Sequence, residues 1–200
     1  MIPDRPVPGT PLARSFYARP SRVVAPALLN KVLVVGVRAA RIVEVEAYAG
    51  ADDPASHAYR GQTARNATMF GPPGSLYVYF AYGMHWCANA VCSPAGSSSA
   101  VLLRAGAPLA GLDSMYAMRP VARRDRDLCS GPAKLCQAFG IDRSFDGRDL
   151  VDEDQPVTIV DDGTPPPRRP GRGPRIGLSV AVDVRWRWFV PGDPNVSRPQ

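Results

Sequence analysis

The sequence predicts a single α+β domain, with a curved, largely antiparallel sheet, helices packed on it and one protruding β-hairpin. Three observations carry that expectation. Two hundred residues with 45% hydrophobic content suit one core that needs no metal or disulfide staple. Short β-rich runs with period-two patterning follow one another with turn residues between them. Helical stretches come late, at 111–119 and after Ser130, where Pro132 falls in a first turn and Ser130 is placed to cap.

In chain order, residues 1–23 hold several prolines and arginines with little periodicity. They are expected as an irregular arm, with at most a short helix near 12–18. Residues 24–197 form the expected domain and 198–200 a tail. Residues 24–30 read as a short helix with Pro26 in its first turn. The runs 31–37 and 40–48 then read as the two strands of a hairpin. In the second of these, the two-residue period puts Glu44, Glu46 and Tyr48 on one face and Val43, Val45 and Ala47 on the other. Residues 52–69 are polar and aperiodic, a long loop of the kind that carries function in compact domains.

A turn at 71–74 leads into an aromatic hairpin, 75–82 and 85–92, with Gly83 at its tip. The run 100–105 is an apolar strand ending in Arg104. The segment GTPPPRRPGRGP at 163–174 is basic and proline-rich and is expected as a flexible, extended loop. Residues 175–182 and 186–190 read as closing strands.

Composition bounds the function classes. No apolar run approaches the length of a membrane span, and the N-terminus has prolines and charges where a signal peptide needs an apolar stretch, so a cytoplasmic protein without membrane attachment is expected. Cys87, Cys92, Cys129 and Cys136 have neither zinc-site nor disulfide spacing and are expected as reduced, mostly buried thiols; no metal and no cofactor are expected. The net charge of +6 and a pI near 9.5 permit a polyanionic partner. Lys31 and Lys134 are the only lysines. The arginine excess fits both bidentate phosphate contacts and a plain compositional bias.

Four groups could carry chemistry. Glu46, in an otherwise apolar strand beside Tyr48, is a candidate general base, against the plainer reading that Glu44 and Glu46 line a solvated face. Tyr48, Tyr77, Tyr79 and Tyr82 could stack on a nucleobase, although an aromatic strand is more often core. Tyr82 stands apart, because a bulky ring on a hairpin tip fits a wedge entering a groove. Arg104 and Asn89 are polar groups in buried contexts and need partners, which for Arg104 are as readily Glu44 or Asp149 as a site.

The ordered blocks EVEAY at 44–48, SH at 56–57, RGQTARN at 60–66, MF at 69–70, PGSLYVY at 73–79, YGM at 82–84, Asn89, VLLR at 101–104 and LCSGPAKLC at 128–136 together resemble the alkyladenine (3-methyladenine) DNA glycosylase family. The blocks FD at 145–146, RDL at 148–150, RIG at 175–177 and PG at 191–192 extend the likeness over about 24–197. The resemblance implies that Glu46 is the general base for a water and that Arg104, and the carbonyl of Leu178, help hold it. It implies that Tyr48, His57 and Tyr79 sandwich and hydrogen-bond a flipped base, that Asn89 screens the purine's minor-groove edge, and that Tyr82 intercalates. Lys134 looks structural. The chain departs from the family at His85 and Trp86, at Pro26 and in the loop 163–174, none of which touches the water-binding positions.

The expected function is a base-excision repair glycosylase that flips alkylated or deaminated purines from double-stranded DNA and hydrolyses the glycosidic bond, acting as a monomer. Without an amine nucleophile near the site, no lyase step is expected. The alternatives are a non-catalytic nucleic-acid-binding module on the same fold, and a structural protein that docks partners through its arginine loops.

Overall fold

The computed structural model describes residues 6–197. Nine strands form one antiparallel sheet: β1 (Thr10–Pro11), β2 (Val32–Val35), β3 (Arg38–Tyr48), β4 (Leu76–Ala81), β5 (His85–Cys92), β6 (Ser99–Ala110), β7 (Val157–Asp161), β8 (Gly171–Gly173) and β9 (Arg187–Phe189). The order is β1-β7-β2-β3-β6-β5-β4. β3 is the hub: its first half pairs with β2, residues 44–46 pair with β9, and β6 covers its other edge. The five α-helices among the described residues are α1 (Arg14–Tyr17), α2 (Ser21–Leu28), α3 (Leu112–Met118), α4 (Asp125–Leu128) and α5 (Pro132–Phe139).

Period-two patterning sorts the sheet into two faces. Val45, Ala47, Leu76, Val78, Ala88, Ala90, Val101 and Leu103 join one buried cluster with Leu28 of α2 and Leu135 and Phe139 of α5. The alternate residues, among them Glu44, Glu46, Tyr77, Tyr79, Asn89, Leu102 and Arg104, point the other way. A strand that is buried on both faces yet carries two carboxylates on one of them needs partners there. That face holds the site.

The structure differs from the sequence reading at several places. Within the expected arm, Thr10–Pro11 pairs with β7 and Tyr17 is fully buried. α2 begins at Ser21, and Pro26 lies inside it; the carbonyl it leaves without an N–H belongs to Arg22, on the exposed side of the helix. Ser130 does not cap α5. Gly131 takes that position with φ 145°, a conformation that favours glycine, and Pro132 follows in the first turn.

The end of the basic loop is strand β8, against β9. The close approach requires glycine, since a Cβ on Gly171 would stand 1.7 Å from the Phe189 ring. Residues 175–182, expected as a strand, form none. The tail 198–200 and the first five residues of the arm lie outside the described residues. All four cysteines are buried and unpaired.

Candidate active site

One row of cross-strand neighbours builds the floor. Tyr77 on β4 stands opposite Asn89 on β5, Asn89 opposite Leu102 on β6, Leu102 opposite Glu46 on β3, and Glu46 opposite Arg187 on β9. Beside this row the β3–β6 register slips at Glu44, which faces Ala105 rather than Arg104. Such irregularities re-aim side chains, and the arginine here reaches both acids. Its Nε donates to Glu44 Oε1 at 3.0 Å, and its Nη1 lies 3.3 Å from Glu46 Oε1.

Both carboxylates are fully buried, but their surroundings differ. Glu44 also accepts from Arg187 Nη1 at 3.1 Å and from the backbone N–H and hydroxyl of Ser197, at 2.7 and 3.0 Å. Burial alone would raise its pKa; Arg104, Ser197 and Arg187 together outweigh burial and hold it below the usual value. Glu46 accepts the Ile176 N–H at 2.8 Å on Oε1 and the Tyr48 hydroxyl at 2.9 Å on Oε2. There burial wins, and the pKa is raised against the pull of Arg104, Ile176 and Tyr48. With two acceptor sites per oxygen, Oε2 keeps one for a further donor.

Above this floor is a cavity of about 420 Å³, lined by Tyr48, His57, Tyr79, Tyr82, Asn89 and Arg104, together with Tyr77, Cys87, Arg65 and the loop Ile176–Leu178. The size suits one small flat ligand. Glu46 does not line it; its partners Arg104, Tyr48 and Ile176 do. The general-base candidate therefore sits one layer beneath the cavity wall.

The aromatic walls are ordered by contact. His57, exposed at one edge, has its ring centroid 4.4 Å from that of Tyr79, nearly perpendicular, and its Nδ1 is 3.2 Å from the Tyr77 hydroxyl. Partial burial, helped by Arg65, lowers the His57 pKa and so favours the neutral ring. Burial pushes the Tyr77 phenol up to about 12. Asn89 is buried, and its amide donates to the Tyr77 carbonyl at 3.1 Å. Tyr82, at the tip with φ 52°, is 80% exposed, and its hydroxyl donates to the Gly177 carbonyl at 3.1 Å.

The seven residues given site roles from the sequence thus meet at one place, with Tyr77 beside them, Leu178 in the lining and Glu44 as a partner of Arg104. The structure adds Cys87, Ile176, Gly177 and Ser197. Hairpin register reaches Cys87, which lies directly opposite Tyr79. Asp149, the other partner considered for Arg104, instead binds Arg14. Among the described residues there is no group of three or more His, Cys, Asp or Glu side chains that could hold a metal ion, and no helix long and apolar enough to cross a membrane.

The site is thus a buried carboxylate paired with an arginine beneath an aromatic slot, on a basic protein: a pocket for one small flat ligand with an ionisable acid below it. The model of the methylpurine-DNA glycosylase (MPG) family matches residues 15–194. A protein of Burkholderia lata, named "Putative 3-methyladenine DNA glycosylase", is 59% identical over 96% of this chain and 93% of its own length. Proteins under the same name from Streptomyces avermitilis and Rhodopseudomonas palustris are 50% and 48% identical, over 98% and 96% of this chain and 92% of their own lengths. The chain belongs to the methylpurine-DNA glycosylase family, a family of DNA-acting hydrolases.

Proposed function

We propose that this protein excises damaged purines from double-stranded DNA, 3-methyladenine first among them and hypoxanthine, ethenoadenine and 7-methylguanine as further candidates, by hydrolysing the bond to deoxyribose. The observation that carries the reading is Glu46, fully buried and held between Arg104, the Ile176 amide and the Tyr48 hydroxyl, under a slot walled by Tyr48, His57 and Tyr79.

In this reading the damaged nucleotide leaves the stack, which costs least where pairing is already poor, and its base enters the slot. Tyr82 fills the gap in the duplex. A cationic base gains from the electron-rich rings and leaves readily. A neutral base relies on hydrogen bonds within the slot, where neutral His57 and Asn89 are the available partners. As the bond from C1′ to the base breaks, its electron pair goes to the base. The reaction requires the layer of Arg104 and Tyr48 over Glu46 to part enough to admit one water. That water, on the remaining Oε2 site, attacks C1′ and gives its proton to the carboxylate, whose negative charge also stabilises the oxocarbenium character. Arg104 holds the carboxylate ionised and in place.

The product is an abasic site. The only lysine amines are Lys31, paired with Asp161, and Lys134, beside Ser130. Neither lines the cavity, which supports a glycosylase without lyase activity. The protein acts as a monomer, in the compartment that holds the chromosome.

The test incubates the protein and its Glu46→Gln variant with duplexes bearing one hypoxanthine or one ethenoadenine, and with methylated DNA, and scores alkali-labile abasic sites. Release by the parent and loss in the variant are expected. No release from any substrate, with DNA binding retained, would replace the enzyme with a binding module. Borohydride trapping of a Schiff base would overturn the monofunctional reading.

A further inference from the structure

We propose that Arg175, held by Asp53, is a positioning residue that sets the Tyr48 ring and the backbone of 176–177 against Glu46. The inference rests on the excision reading above and extends it to a buried ion pair outside the reacting groups.

Arg175 and Asp53 are both buried, 122 positions apart. The guanidinium meets the carboxylate with two nitrogens, Nη1 to Oδ2 and Nη2 to Oδ1, the latter at 2.9 Å. Nη1 also donates to the Ala47 carbonyl at 3.1 Å, between Glu46 and Tyr48 on the strand. The guanidinium lies 4.7 Å from the Tyr48 ring centroid and 5.2 Å from that of Trp186. Tyr48 is therefore braced by Arg175 while its hydroxyl reaches Glu46.

The next two residues complete the clamp. The Ile176 N–H donates to Glu46, and the Gly177 carbonyl accepts from Tyr82. On the far side, Asp53 accepts the backbone N–H groups of Ala49 and Ala55, at 3.3 and 3.1 Å, and so fixes the start of the loop that carries His57. One ion pair thus ties together the elements that carry Tyr48, His57 and the Ile176 amide.

Stability alone does not account for this pair. Desolvating two charges offsets much of their attraction, and apolar residues of similar volume do as well or better in such places. The Nε of Arg175 has no hydrogen-bond partner among the described residues, which adds a further cost. What the fork supplies is direction: two bonds to Asp53, one to the strand and a flat face for the ring. A lysine cannot reproduce that geometry.

Two variants test the inference: Arg175→Lys, and the double variant Asp53→Asn with Arg175→Gln, which leaves no unpaired charge. The expected result is a fall of about 100-fold in the single-turnover excision rate, the size of effect a displacement of about 1 Å produces, with duplex affinity unchanged. The acid limb of the rate profile should also move to higher pH, because the Ile176 hydrogen bond lowers the Glu46 pKa and a loosened amide would no longer do so. Arg175→Lys should fall between the parent and the double variant.

Parental rate and acid limb in both variants would overturn the proposal. So would a loss that follows weakened DNA binding with the acid limb unmoved, since that marks a merely structural residue. Hydrogen exchange on the unsubstituted protein needs no folded variant: the Ile176 amide should exchange as slowly as those of β3, and exchange at the rate of an open loop would refute the clamp. A parent that releases no base from any substrate would instead end the excision reading itself.

Discussion

Glu44 and Glu46 stand two residues apart on one strand, on one face, and are equally buried, yet the protein treats them oppositely. Glu44 has four donors: two arginines and both the N–H and the hydroxyl of Ser197 favour its charged form. Glu46 has a single, longer contact to the same Arg104, and its other partners are an amide and a phenol. Burial is common to both, so the number and charge of the partners decide the pKa. Two carboxylates pushed apart in this way fit the division of labour that the proposed reaction asks for, with the low-pKa acid anchoring the arginine and the raised one proposed for proton transfer.

The sharpest way to break the comparison is to neutralise each acid in turn. Glu46→Gln should lower single-turnover excision by between about 100- and 10,000-fold, the range for loss of a general base, while the protein still folds. Glu44→Gln should act first on stability. It leaves Arg104 and Arg187 without their shared charge, at a cost of about 3 kcal/mol, or about 6–12 °C in Tm for a chain of this size. A melting curve separates the two variants before any assay is run.

The pH dependence of stability sharpens it further. Glu46 has its folded pKa raised above its unfolded value. Its contribution is fully present below the unfolded pKa of about 4.3 and is lost as pH rises through the folded pKa. Glu46→Gln should therefore melt no lower than the parent at neutral pH, and the gap should close on acidification. Glu44, with its pKa lowered, behaves in reverse: its contribution is present above about 4.3 and is lost as pH falls through the folded value. The Glu44→Gln deficit should shrink only in stronger acid. Chemical denaturation between pH 3 and 7 checks both slopes.

The smallest expected effect lies at the rim. Tyr82→Phe removes the hydroxyl that meets Gly177 and leaves the ring. An exposed neutral hydrogen bond contributes about 1 kcal/mol or less, so excision should change by less than about tenfold, whereas Tyr82→Ala should lose far more. If the two variants behave alike, the hydroxyl rather than the ring is what matters at the tip.

Much of the fold and of the site was legible in the sequence. Period two placed Glu44, Glu46 and Tyr48 on one face of β3, and the glycine at the aromatic hairpin placed Tyr82 at its tip. The failures share a physical cause. The Ile176 amide is a backbone donor, present in every residue but proline, and the apolar alternation of residues 175–182 reads as a strand although 176–178 line the cavity without strand pairing. Ser197 meets Glu44 across 153 positions and Arg175 meets Asp53 across 122. Side-chain type gives a need for a partner, but only the folded sheet gives its address. Gly131 displaced Ser130 as the cap of α5 because its backbone, not its side chain, makes that turn.

The hydrogen bond from the tip of the hairpin to Gly177 joins two elements that line the cavity, 95 positions apart in the chain. Because Gly177 directly follows the residue whose amide touches Glu46, a pull on the tyrosine is felt two peptide units from the carboxylate. An exposed ring at the hairpin tip and a fully buried acid are thus joined through two adjacent residues of one loop.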